Sequence, residues 1–103
     1  MNDNISPERK RLYISGPISG YDYEERKQLF DSTSRRLSRD WRVFNPMENG
    51  LTRHASVSQH MRADLVALAS CDAFFQLPGW EASANCRLEL NVALACGLKI
   101  IYD

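Results

Sequence analysis

Apolar residues come along this chain in short β-prone runs, separated by longer polar or amphipathic stretches. Leu12, Tyr13 and Ile14 form the first run, stopped by Ser15-Gly16-Pro17. That reads as a strand running into a loop. Helix-favouring polar residues follow from about Asp22 to Arg39, with Leu29, Phe30 and Leu37 available for a buried face. Trp41 to Phe44 is a second short strand, closed by Asn45-Pro46, and residues 47–56 read as a loop. Val57, Met61, Leu65 and Leu68 recur at helical spacing. They predict an apolar stripe on a helix from Val57 to Ala69, capped by Ser56 or Ser58. Asp72 to Leu77 predicts a third strand, stopped by Pro78-Gly79, with a loop over 80–84. Asn85 to Cys96 predicts a third helix ended by Gly97, and Lys99 to Tyr102 a last strand.

The order βαβαβαβ predicts an α/β domain with a parallel sheet of about four strands and right-handed crossovers. In a small doubly wound sheet of flavodoxin or Rossmann type, the expected strand order is 2-1-3-4. The switch point then falls between the first and third strands, and ligands bind at the carboxyl ends there. The Gly/Pro loops after those two strands, residues 16–20 and 78–83, become the expected ligand edges.

Composition narrows the picture. At 103 residues the chain is one domain, read as a flexible polar lead-in over 1–10 and a folded domain over 11–103. Lys+Arg and Asp+Glu number 13 each, so there is no basic excess and polymeric nucleic acid is not an expected partner. Three cysteines, an odd number in apolar surroundings, read as small hydrophobes in a reducing compartment. The first residues lack the apolar core of a signal peptide, and no run reaches the ~18 apolar residues of a membrane span. A cytoplasmic location without membrane association is the expectation. No metal-ligand spacing, Walker A loop or dinucleotide fingerprint occurs, so neither metal nor cofactor is expected.

Several residues are candidates for chemistry. The loop Gly16, Pro17, Ile18, Ser19, Gly20 is either a tight turn or a place where backbone N–H groups meet an anion. Asp64 lies by angle on the apolar stripe of its helix. A carboxylate there needs a partner, such as Arg62 or a loop N–H, or a purpose. Glu89 shares a stripe with the small residues Ala93 and Cys96, on a helix that is apolar on two other sides. It is either a solvated early-helix residue or a functional one. Ser83 caps that helix or meets an anion. Trp80 is core, or an exposed ring suited to stacking on a base. Tyr13 reads as core packing on local grounds, and His54 and His60 read as surface residues.

Together these segments say more than each alone. Tyr13-Ile14-Ser15-Gly16-Pro17-Ile18-Ser19-Gly20, Asn45-Pro46, Met61-Arg62-Ala63-Asp64-Leu65, Cys71-Asp72-Ala73, Leu77-Pro78-Gly79-Trp80-Glu81-Ala82-Ser83, Glu89, Ala93 and Gly97 resemble the nucleoside 2-deoxyribosyltransferase-like family. The likeness covers about residues 11–103 and extends to deoxynucleoside 5′-monophosphate N-glycosidases. It implies cleavage of an N-glycosidic bond, without a cofactor, in a nucleoside or its 5′-monophosphate. It further implies that Glu89 is the nucleophile, ionised when it acts, that Asp64 is the second acid, and that Tyr13 is the aromatic beside them. Gly16 to Gly20 and Ser83 match the phosphate-binding positions, and a homodimer or homotetramer is implied. The chain departs from the pattern at Asn85, where Gly is usual, at Cys86, where a small Ala is common, and at Ser19, where the monophosphate enzymes carry a basic residue. Two function classes follow: a glycosidic-bond-cleaving or deoxyribosyl-transferring enzyme, and a nucleotide-binding or sensing module without catalysis. A receiver-like role lacks its acidic pair, because Ser15-Gly16 follows the first strand.

Overall fold

A computed structural model describes residues 9–103, so most of the expected lead-in lies outside the described residues. Four strands and three helices alternate: β1 (Arg11–Ser15), α1 (Tyr23–Leu37), β2 (Arg42–Phe44), α2 (Val57–Ala69), β3 (Ala73–Gln76), α3 (Ala84–Ala95) and β4 (Lys99–Tyr102). All strand pairs are parallel, and the order is β2-β1-β3-β4. The expected fold and order are those observed. The two loops also hold short 3-10 turns, Pro46–Glu48 and Trp80–Ala82. The first has a local cause: Asn45 Oδ1 accepts from the Met47 N–H at 3.0 Å, and proline occupies the opening position.

Period-two alternation sorts the sheet residues onto two cores. Leu12, Ile14, Ala73, Phe75 and Leu77 face Phe30 of α1. Tyr13 and Phe74 face the other way, with Leu68 of α2 and Ala93 of α3. Tyr13 is in register with Phe44 and Phe74 on its two neighbouring strands. Its ring stacks between them, with centroids 5.4 and 5.9 Å away. Parallel strands buried on both faces explain why the runs read as apolar rather than alternating.

The helices follow their end signals. Asp22 caps α1 by accepting from the Glu25 N–H at 3.0 Å. Of the two possible caps of α2, Ser56 is used. Its Oγ accepts from the Gln59 N–H at 3.1 Å, and Gln59 Oε1 accepts from the Ser56 N–H at 2.8 Å. This reciprocal box makes Ser56→Ala an expected loss of about 1 kcal/mol, read by urea denaturation. A loss below about 0.3 kcal/mol would mean that water satisfies the helix end equally well. The predicted stripe on α2 is only partly a core face. Leu68 is fully buried, but Val57 is 64% exposed. On α3 the buried residues are Cys86, Glu89 and Ala93, whereas Leu88 and Leu94 are exposed. Small side chains let the helix approach the Tyr13 face closely, and they bring a carboxylate down with them.

Candidate active site

Glu89 is the centre of the arrangement. Tyr13 and Ser15 stand two residues apart on β1 and so point to the same face. α3 crosses that face with Glu89 7% exposed. The Tyr13 hydroxyl donates to Glu89 Oε2 at 2.9 Å, and the Ser15 hydroxyl donates to Oε1 at 2.7 Å. Both carboxylate oxygens are thereby held in fixed positions. Burial raises the Glu89 pKa from 4.5 to about 7, with the Asp64 charge adding to the rise and the two hydroxyls opposing it. The group is poised between its two forms at neutral pH. Tyr13 is pushed well above its usual range, by burial first and the Glu89 charge second, so it stays a donor. Replacing Tyr13 by Phe removes a bond that favours the ionised form. The Glu89 midpoint is expected to move further up in Tyr13→Phe, as read by carbon-13 NMR of the carboxyl; an unmoved midpoint contradicts the assigned bond.

Asp64, half-buried on α2, is not paired with Arg62. Its Oδ1 accepts from the Asn49 side-chain amide at 2.9 Å. The same amide nitrogen lies 3.0 Å from His60 Nδ1, and His60 Nε2 lies 3.0 Å from the Thr52 carbonyl oxygen. His60 is therefore no simple surface residue; it ties the 49–52 loop to α2. Burial raises the Asp64 pKa, while Asn49 and His60 pull it back.

Glu89, Asp64 and His60 line one cleft of about 360 Å³, together with Gly16, Ile18, Ser19 and Gly20 of the first loop. Ser83, Asn85 and Cys86 line it from the start of α3. Pro17 is not on its wall, but it lines a smaller adjoining cleft of about 280 Å³ with Ser19, Ser83 and Asn85. The first loop owes its glycines to two different needs. A Cβ on Gly16 would lie 2.9 Å from Leu77 Cβ, so core packing explains that residue. Gly20 has φ +85, a turn requirement. Ser83 does cap α3, accepting from the Cys86 N–H at 3.2 Å. Trp80 is on the wall of neither cleft and packs on Tyr102, with ring centroids 6.1 Å apart. Burial pushes the Cys86 thiol up, which leaves it protonated and unreactive at neutral pH.

The structure thus brings Glu89, Asp64, Ser83 and most of the first loop around one cleft, with Tyr13 fully buried behind Glu89 and off its wall. Sequence reasoning missed Ser15, Asn49 and His60 as site residues. Ser15 had a signal, its shared parity with Tyr13 on one strand. His60 stands one helical turn before Asp64, which was also legible. Asn49 had none, because only the fold-back of the loop brings it to α2.

A model of a domain of unknown function, DUF4406, matches residues 10–102. The chain belongs to that family. No curated protein matches this DUF4406 domain in sequence. Among solved structures it is similar to the Clostridium botulinum CMP N-glycosidase BcmB, with 26% identity and a TM-score of 0.63, over 90% of this chain and 67% of that one. A 2-deoxyribosyltransferase from Leishmania mexicana is 20% identical with a TM-score of 0.69, over 90% of this chain and 63% of that one. The Bacillus psychrosaccharolyticus 2-deoxyribosyltransferase is 17% identical with a TM-score of 0.64, over 89% of this chain and 70% of that one. The DUF4406 domain therefore has the fold of the nucleoside 2-deoxyribosyltransferase-like superfamily and spans about two thirds of the length of these structures. None of its described helices is long and apolar enough to cross a membrane.

Proposed function

We propose that this domain cleaves the N-glycosidic bond of a nucleoside or nucleoside 5′-monophosphate through Glu89. The carrying observation is a buried carboxylate, held by two hydroxyl donors, on the wall of a cleft that also contains a second carboxylate. A glycosidic carbon losing its base develops oxocarbenium character, which a fixed carboxylate stabilises or traps. Ionised Glu89 attacks C1′ as the C1′–N bond breaks, and the bonding pair leaves with the base. Protonated Asp64 gives its proton to the departing nitrogen. Water then attacks C1′ of the glycosyl ester, its proton passes to Asp64, and Glu89 is released as carboxylate. A second base in place of that water gives deoxyribosyl transfer.

The raised pKa values fit these roles. Glu89 at about 7 supplies an ionised fraction at neutral pH, and burial shifts Asp64 toward its acid form. The two acids interact, so a pH–rate profile reports the pair. The exposed Leu88 and Leu94 on the outer side of α3 support self-association, which sedimentation velocity reads directly.

A non-catalytic nucleotide-binding module is the second reading. It is favoured by Asn85, whose side chain stands on the wall of both clefts at the start of α3. One experiment separates the two. Deoxynucleosides, ribonucleosides and their 5′-monophosphates are incubated with the protein, and free base is followed by chromatography. Release from any member supports cleavage and names the substrate class. Binding of nucleotides without release favours the sensing module.

A further inference from the structure

The 49–60 segment contains a closed hydrogen-bond system that the reaction scheme above does not use. Its orientation follows from chemistry alone. The Leu51 N–H donates to Asn49 Oδ1 at 3.0 Å, which fixes which end of the amide is oxygen. Asn49 Nδ2 therefore carries two protons. One goes to Asp64 Oδ1 at 2.9 Å and the other to His60 Nδ1 at 3.0 Å. His60 Nδ1 must then accept. The proton of the neutral ring sits on Nε2, and the Thr52 carbonyl oxygen accepts it at 3.0 Å. Every donor and acceptor of the Asn49 side-chain nitrogen and of the imidazole is matched. Asp64 is left with Oδ1 tied, and Oδ2 has no hydrogen-bond partner among the described residues.

We propose that Asn49 and His60 are positioning residues for Asp64, holding its carboxyl plane so that Oδ2 is the oxygen offered to the departing base. This rests on the glycosidic-cleavage reading of the cleft. Asn49 acts on Asp64 directly, and His60 acts by holding Asn49 and by its own electrostatic pull on the carboxylate. Misplacing a proton donor by about 1 Å costs on the order of 100-fold in rate, so a loop amide in this place controls kcat. Other ionisable groups face the same space. Tyr13 from β1 and Glu89 from α3 interact with Asp64 electrostatically, and Arg53 and Tyr23 share the cleft wall. Asn49 and His60 differ from these in being joined to Asp64 through one fixed amide.

The test uses the whole chain, carbon-13 labelled at aspartate carboxyls, in the native form and as Asn49→Leu, His60→Leu and His60→Asn. Asparagine at 60 retains an acceptor near the place of Nδ1, and leucine does not. The Asp64 midpoint is expected to rise in Asn49→Leu and His60→Leu and to rise less in His60→Asn, which keeps an acceptor for Asn49 but not the electrostatic pull of the imidazole. Base release is expected to fall roughly 10- to 100-fold in kcat in the two leucine variants, with KM little changed, and to recover in His60→Asn. An Asp64 midpoint unmoved in the leucine variants overturns the proposal, as does a His60→Asn chain as impaired as His60→Leu. If Asn49→Leu does not fold, the pair at 60 decides alone. Midpoints that move as expected in a chain that releases no base support the clamp and place the failure with the cleavage reading.

Discussion

Replacing Glu89 with glutamine is expected to abolish base release and to stabilise the folded chain above pH 7. The first effect follows from the nucleophilic role proposed for Glu89, whose loss is on the order of 10³-fold or more. The second follows from linkage. The carboxyl has its ordinary pKa of 4.5 when unfolded and about 7 when folded, so the folded state binds the proton more tightly. Stability from this group is complete below the lower value and is lost as pH rises through the upper one. The penalty at high pH is about 3 kcal/mol, because the ionised form must then be buried. Glutamine has the shape of the protonated acid and carries no such penalty. Its amide still meets the Tyr13 and Ser15 hydroxyls, each of which can turn to accept. Native stability should therefore decline more steeply between pH 5 and pH 8 than that of Glu89→Gln. The Tm difference at pH 8 should be on the order of 10 °C. Denaturation at several pH values, beside base-release assays, measures both. Parallel pH curves for the two chains would remove burial as the cause of the shift, and retained turnover would remove Glu89 from its role.

Gly16→Ala is expected to destabilise the fold by about 1–3 kcal/mol, through overpacking rather than backbone strain. Gly16 carries no positive φ, but the added methyl would lie 2.9 Å from both Cβ and Cδ1 of Leu77 and 3.2 Å from Phe30 Cζ. Leu77 and Phe30 are fully buried, and Leu77 Cβ cannot swing aside without moving the backbone after β3. The strain therefore passes into both ligand loops, and binding should weaken along with stability. Gly20→Ala makes the control. Nothing lies within 4 Å of its Cβ, yet φ is +85, so its cost of about 1–2 kcal/mol is conformational. Urea denaturation of the two variants, with nucleotide-dependent thermal shifts, separates the causes. Stability of Gly16→Ala within about 0.5 kcal/mol of native would show that the core yields more easily than its packing implies.

The fold was legible because its signals are local. Short apolar runs, Ser56 before Val57 and Gly97 after α3 mark the boundaries, and right-handed crossovers leave few strand orders. The site was legible unevenly. Glu89 and Asp64 stood out as carboxylates on faces that also carry apolar or small residues. Their surroundings did not. No local pattern says that Tyr13, which looks like core, donates a hydrogen bond to a residue 76 positions away. Nor does one say that Asn49 reaches Asp64, because the loop conformation rather than a period decides it. Gly16 resembled a ligand cradle until Leu77 and Phe30 were seen beside it. Trp80 resembled a stacking ring until Tyr102 was found against it.

The placement of β1 in the middle of the sheet has a consequence for how the chain is made. This strand is made before the strands it pairs with, and one of its edges is filled only by β3, whose pairing begins at Leu12 with Ala73. At ordinary rates of synthesis those intervening residues take several seconds. For that time Leu12, Tyr13 and Ile14 travel as an open apolar edge, the kind that chaperones recognise and other nascent chains pair with. Glu89 arrives later still, so the hydroxyls of Tyr13 and Ser15 wait for their acceptor until the sheet is nearly complete. An unfinished chain can aggregate, but it still lacks the carboxylate on which the cleft is centred.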